Sequence, residues 1–191
     1  MQVFIIDNHT TTLRKLKKLL AVFNPKVIKV EDIYKTEIDS GALLVLSGSS
    51  TTPVLHHHVY DAELKLIRDH EGPIVGVCLG FELIAHAFGA HLHQRQKRQH
   101  GLVHLHRTNS AAAGFLPIAQ QLVYVNHHYD VRRVASPLIS LAESASGVQI
   151  LRHESKPVFG FQFHPEVRRH RNNGKQIFNL VIGQVVSSAK S

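Results

Sequence analysis

The residues of this chain best suited to covalent chemistry are Cys78 and the run His164-Pro165-Glu166. Cys78, the only cysteine, sits in Gly76-Val77-Cys78-Leu79-Gly80, after the apolar Pro73-Ile74-Val75 and before the helix-like Phe81–Phe88. This stretch reads as a nucleophile elbow. A strand turning sharply into a helix needs glycines on both sides of the central residue, because side chains there would collide with the crossing backbone. The turn exposes the central side chain, and the helix behind it aims N–H groups and its positive dipole end at the sulfur, which favours thiolate. His164 follows the apolar Phe161-Gln162-Phe163, and Pro165 breaks the strand, so the imidazole projects from a strand's carboxyl end with Glu166 two residues on. In that arrangement His164 takes the thiol proton and returns it to a leaving amine, while Glu166 fixes the tautomer and stabilises the imidazolium. The chemistry indicated is acyl transfer through a thioester.

For a cysteine and a histidine so far apart in sequence to meet, both must stand at one sheet edge. Val3–Ile6, Val27–Val30, Ala42–Leu46, Ile74–Val77 and Pro157–Phe163 read as strands, several nearly continuously apolar, as in parallel strands covered on both faces. Thr10–Phe23, with leucines at 13, 16, 19 and 20, reads as an amphipathic helix ended by Asn24-Pro25; Tyr60–His70 and Gln176–Val186 read as two more. This order predicts a doubly wound α/β fold, a mostly parallel sheet with helices on both faces and ligands bound at the strands' carboxyl ends. After Gly89 the texture shifts to period two, at His91–His93, Leu102–His106, Gln121–Val125, Leu138–Ala142 and Val148–Leu151, which predicts an appended antiparallel β region. Residues 1–191 read as a single domain without linker or internal repeat.

Composition narrows the partners. Of 191 residues, 43% are hydrophobic and 19% charged, ordinary for a globular protein, and one cysteine excludes an intrachain disulfide and a Cys-rich zinc site. The N-terminus reads as a strand rather than a leader, and no run approaches membrane-spanning length, so a cytoplasmic protein with no membrane contact is expected. The net charge of +8 and 16 histidines raise nucleic acid and metal as alternatives. The densest basic patch, Gln94–His100, lacks the interleaved aromatics that stack on bases and is expected to be a solvated hairpin loop. The basic charge otherwise suits an acidic protein or an anionic substrate. His56-His57-His58 points three ways on a helix. A four-histidine site from His91, His93, His104 and His106 needs two strands paired in register, and a solvated histidine face with no metal is the favoured reading. Neither a phosphate-cradling glycine loop nor an ATP motif occurs, and no cofactor is expected.

With Gly76-Val77-Cys78-Leu79-Gly80 and Phe163-His164-Pro165-Glu166 in this order, the chain closely resembles the class I, or triad, glutamine amidotransferases. Asp7-Asn8, Leu46-Ser47-Gly48, Gly101-Leu102-Val103 and Tyr124–Asp130 extend the likeness to their stand-alone glutaminase subunits of GMP synthetase, over essentially the whole chain. The resemblance implies hydrolysis of the glutamine side-chain amide by Cys78, His164 and Glu166, with ammonia passed to a partner synthetase chain that performs any ATP-dependent amination. It implies an oxyanion hole from the Leu79 N–H and the loop holding Gly48 and Ser49, main-chain contacts to the substrate's amino-acid end from Asn126 and His127, and a substrate-contacting position at Glu82; as residues alone, His127 and Asp130 also fit a satisfied surface loop. Two positions depart from the family pattern. Ser49 stands where glycine is usual and is expected to need a strained φ. Glu82 stands where glutamine is usual; an ionised carboxylate only accepts hydrogen bonds. Phe81-Glu82 also resembles γ-glutamyl hydrolases, so a γ-glutamyl peptide or amide hydrolase acting alone is one alternative, and a catalytically silent regulatory subunit is another.

Overall fold

The computed structural model describes residues 1–50, 57–117 and 121–188. Its strands are β1 (Val3–Asp7), β2 (Lys26–Lys29), β3 (Leu43–Leu46), β4 (Ile74–Val77), β5 (Leu92–Arg107), β6 (Gln121–Val131), β7 (Leu138–Ser144), β8 (Gly147–His153) and β9 (Val158–Phe161). The helices are α1 (Leu13–Leu19), α2 (His57–Asp69), α3 (Leu79–Ala87) and α4 (Gly174–Ser188). The strands form one sheet in the order β2-β1-β3-β4-β9-β8-β7-β5-β6. The five from β2 to β9 run parallel, and the four from β8 to β6 are added antiparallel. This is the α/β architecture expected, with the antiparallel region continuing the sheet beyond β9.

Strand alternation builds two cores. Phe4, Ile6, Leu44, Leu46 and Ile74 face one side and pack with Tyr60 and Ile67 of α2 and Phe81 and Ile84 of α3. Val3, Ile5, Leu43, Val45, Val75 and Val77 face the other and pack with Leu16 of α1 and Phe178 and Val181 of α4. Every residue of β3, β4 and β9 is buried, because helices cover both faces.

Three expectations change. The helix expected over Thr10–Phe23 is α-helical only at Leu13–Leu19, followed by a 3₁₀ turn at Ala21–Phe23 and a left-handed Asn24. Thr10 and Thr12 stay outside it because Thr10 N–H donates to Asp7 Oδ1 (3.1 Å) and the Thr12 hydroxyl to Glu166 (2.8 Å). The second strand ends at Lys29, and Val30 opens a 3₁₀ segment.

Gln94–His100 is no hairpin loop: it lies inside the continuous β5. Gln94 pairs with Tyr129 and Gln99 with His127, so Arg95–Arg98 bulge opposite His128. Both faces of this part of β5 are largely wet, which let its polar composition pass for a loop. The four-histidine site falls with it, since His93 sits opposite Asp130 and His104 opposite Leu122, at two ends of one strand. Among the described residues no cluster of three or more potential ligands could hold a metal ion, and His56 lies outside them. No described helix is long and apolar enough to cross a membrane.

Candidate active site

β4 delivers Cys78 to the carboxyl edge of the parallel sheet, beside β9, with Val77 in register with Phe161. Cys78 adopts φ 54°, ψ −105°, a region that strains any residue with a Cβ. The turn is held from both sides: Cys78 N–H donates to Phe161 O (2.8 Å), and Cys78 O accepts from Glu82 N–H (3.0 Å) as α3 begins. The flanking glycines are close approaches. A Cβ on Gly76 would lie 2.4 Å from the Gly80 carbonyl, and one on Gly80 would lie 2.4 Å from the Leu46 carbonyl oxygen. Backbone cannot rotate away as a side chain does, so Gly80→Ala is expected to lose about 3 kcal/mol in urea unfolding. Gly183→Ala, in α4 where nothing lies within 4 Å of the added methyl, is expected to gain about 0.5–1 kcal/mol.

His164 follows β9, its N–H bound to Tyr124 O (2.8 Å). Its Nδ1 meets Glu166 Oε1 at 2.8 Å. The same carboxylate oxygen accepts from the Thr12 hydroxyl at 2.8 Å. His164 Nε2 is buried without a partner in good hydrogen-bond geometry. Burial alone would lower the imidazole's pKa, but the Cys78 charge beside it and the Glu166 contact outweigh that and hold it well above its ordinary value. Burial likewise pushes Glu166 up, and the bonds from His164 and Thr12 bring it below its ordinary value. Cys78 Sγ lies 3.7 Å from Asn126 O. Gly48 lies against both partners, since a Cβ there would be 3.4 Å from Cys78 Cβ and from His164 Cε1.

A second polar group lies buried beside this one. Glu82 accepts from Gln162 Nε2 at 3.0 Å. Desolvation raises its pKa to about 8 against the lowering by Gln162, with smaller contributions from Asp130, which raises it, and His164, which lowers it. Glu82 is therefore a neutral acid near pH 7, able to donate as well as accept. Only an ionised Glu82 is confined to accepting, and burial keeps it protonated. Asp130 pairs with Arg95 at 2.6 Å. His127 Nδ1–H donates to Tyr129 O (2.7 Å), and desolvation lowers its pKa to about 4, so it is neutral with a buried Nε2 lacking a partner.

Glu82→Gln isolates the cost of that buried acid. The folded chain keeps a proton that the unfolded chain releases above its ordinary carboxyl value, so stability drains as pH rises towards about 8. The variant is expected to match the parent at pH 5 and exceed it by about 2 kcal/mol at pH 8.5, read from paired urea titrations.

The structure thus brings Cys78, His164 and Glu166 together, with Leu79, Gly48, Ser49 and Asn126 around them and Glu82 and His127 buried alongside. Ser49 departs from expectation: the described non-glycine residues with positive φ are His9, Asn24, Cys78 and Arg171, so the strain falls on the nucleophile itself. Thr12 is the residue that sequence reading missed. Its contact with Glu166 spans 154 positions, and only the failure of the helix to start at Thr10 hints at it.

A parallel α/β sheet with a cysteine elbow and a histidine at adjoining strand ends is the architecture on which the comparisons with known proteins bear. The family model for glutamine amidotransferase class-I matches residues 4–184, and the chain belongs to that family. It is 30% identical over 186 residues to the glutamine-hydrolyzing GMP synthase subunit of Thermoplasma acidophilum, covering 96% of this chain and 92% of that one. It is 29% identical over 172 residues to anthranilate synthase component 2 of Saccharolobus solfataricus, covering 85% and 88% respectively. A crystal structure of a T. acidophilum protein described as a GMP synthase subunit superposes with a TM-score of 0.84 at 27% identity, over 100% of this chain and 96% of that one.

Proposed function

We propose that the chain is a glutaminase that releases ammonia from the glutamine side chain through a Cys78 thioester and hands it to a separate synthetase chain. The observation that carries this reading is the strained Cys78 elbow beside a buried His164–Glu166 pair. Cys78 attacks the amide carbon. The oxyanion is met by the Leu79 N–H, in the first turn of α3 where N–H groups have no intrahelical partner, and by the Gly48–Ser49 loop. His164 gives its proton to the departing nitrogen, then draws one from the water that cleaves the thioester, while Glu166 holds the ring. Neutral Glu82, Asn126 and His127 flank the position of the amino-acid end; a protonated carboxyl offers the donor and acceptor of an amide, so Glu82 does not bar glutamine.

No ATP motif occurs in the sequence, so amination belongs to the partner chain. Likeness to a glutamine-hydrolyzing GMP synthase subunit supports GMP synthetase as that partner. A reducing cytoplasm suits a lone thiol nucleophile. The test is incubation with an electrophilic glutamine analogue, then peptide mass mapping and a glutamate-release assay. One label per chain on Cys78, with loss of glutamate release, is expected. Release that continues with Cys78 blocked sinks the reading, and a chain that neither labels nor turns over is the silent subunit instead.

A further inference from the structure

A buried carboxyl group outside the triad has no part in the chemistry described so far. α2 buries Tyr60, Leu64 and Ile67 in the core, and Glu63 on the same helix is buried with them at 0% exposure. Asn8 Nδ2–H donates to its Oε1 at 3.1 Å, and its Oε2 has no partner among the described residues. Nor does any described cation pair with it. Burial raises its pKa to about 8 against the lowering by the Asn8 bond, so near pH 7 it is a neutral acid. Apolar residues at positions 8 and 63 would pack the same space with no polar atom left unpaired, so the fold alone does not call for this acid.

The bond to Asn8 begins a buried chain that ends at the loop after β3. Asn8, also at 0% exposure, follows β1. Its Nδ2 donates a second bond to Ser47 O (3.1 Å), and its backbone N–H donates to Ser47 Oγ (2.9 Å). The Ser47 hydroxyl, accepting from Asn8, turns its own proton to Gly48 O, 2.9 Å away. The Gly48–Ser49 peptide is trans, so a carbonyl held towards Ser47 turns the Ser49 N–H the opposite way. Gly48 lies against Cys78 and His164, where the direction of a neighbouring amide decides whether it meets charge developing on the substrate oxygen.

We propose that Glu63 is a positioning residue for the oxyanion hole: by holding the Asn8 amide it orients the Ser47 hydroxyl, which fixes the Gly48 carbonyl and so aims the Ser49 N–H at the tetrahedral intermediate. The inference rests on the Cys78–His164 reading above. Glu63 touches no reacting atom; it acts through Asn8 and Ser47, and the chain requires of it only a neutral acceptor.

The test is kcat and KM for glutamine in Glu63→Met, Glu63→Gln and Ser47→Ala, beside alkylation of Cys78 by iodoacetamide, a displacement that forms no oxyanion. Glu63→Met is expected to lower kcat about tenfold or more, with KM and the alkylation rate changed by less than about twofold. Glu63→Gln keeps a neutral acceptor and is expected to hold kcat within about threefold of the parent. Ser47→Ala should match Glu63→Met, and the double variant should lose little more than either, since the two act in series. A parent-like kcat in Glu63→Met, an equal loss in Glu63→Gln, or alkylation that falls together with kcat overturns the proposal. If Glu63→Met does not fold, Glu63→Asp, which withdraws the acceptor by one methylene, is measured in its place against the same expectations. A parent chain that leaves glutamine intact rejects the glutaminase and not the positioning. Acylation of Cys78 by p-nitrophenyl acetate, which passes through an oxyanion without glutamine recognition, is then compared with alkylation, and a ratio unchanged by the substitution at Glu63 overturns the proposal.

Discussion

Cys78→Ala is expected to lower glutamine hydrolysis at least about 10⁴-fold while leaving the fold intact by circular dichroism and thermal unfolding. Without sulfur there is no thioester, and the remaining oxyanion donors and His164 can act only on water held at random. Cys78 is a buried member of a core cluster, but the change removes only one sulfur atom, so the fold is expected to hold. The backbone gives this test a second reading. At φ 54°, ψ −105° the Cβ of residue 78 is itself the source of strain. Cys78→Gly is therefore expected to be more stable than Cys78→Ala by about 1–3 kcal/mol, though both are inactive. A stability gain from deleting the nucleophile's side chain identifies strain held in place for function. Equal stabilities locate the strain elsewhere, and retained turnover in either variant removes Cys78 from the chemistry.

The part of this site legible in the sequence is the part dictated by local sterics. Gly76 and Gly80 are required because one backbone passes within 2.4 Å of where a Cβ would sit, and no other residue type answers that constraint. The parallel core was legible for a similar reason, since strands covered on both faces have no polar side to show. The misread features are those decided by pairing and burial. Gln94–His100 has the composition of a loop, yet its backbone groups are claimed by a ladder with β6. The histidine pairs looked like two strands because a polar stretch separates them on one. Residue type alone leaves the ionisation of Glu82 open, and enclosure by Gln162 and the surrounding core makes it an acid that keeps its proton. Thr12 carries no signal at all, since a hydroxyl that orients a carboxylate 154 positions away looks in sequence like the first turn of a helix.

Glu166→Gln is expected to cut kcat/KM at neutral pH by about 10²-fold and to move the alkaline limb of the rate profile towards lower pH. The carboxylate does two things for His164: it accepts the Nδ1 proton, fixing Nε2 as the reactive nitrogen, and its charge stabilises the imidazolium. An amide can keep the first role and loses the second. His164 is held well above its ordinary value, so its contribution to stability is complete below that value and lost as pH rises through the folded one. Glu166 is held below its ordinary value, so its contribution is present above that value and lost as pH falls through the folded one. The variant should therefore lose stability most between these limits and least at acid pH, which melting temperatures against pH would display. Thr12→Val removes the second donor to the same oxygen, leaves the carboxylate charge less compensated and should move the limb slightly towards higher pH, with about tenfold or less lost in rate and Thr12→Ser restoring both. A Glu166→Gln enzyme whose alkaline limb does not move would show that the carboxylate only holds the ring in place. A Thr12→Val enzyme that loses stability without shifting the limb would give Thr12 a structural part alone.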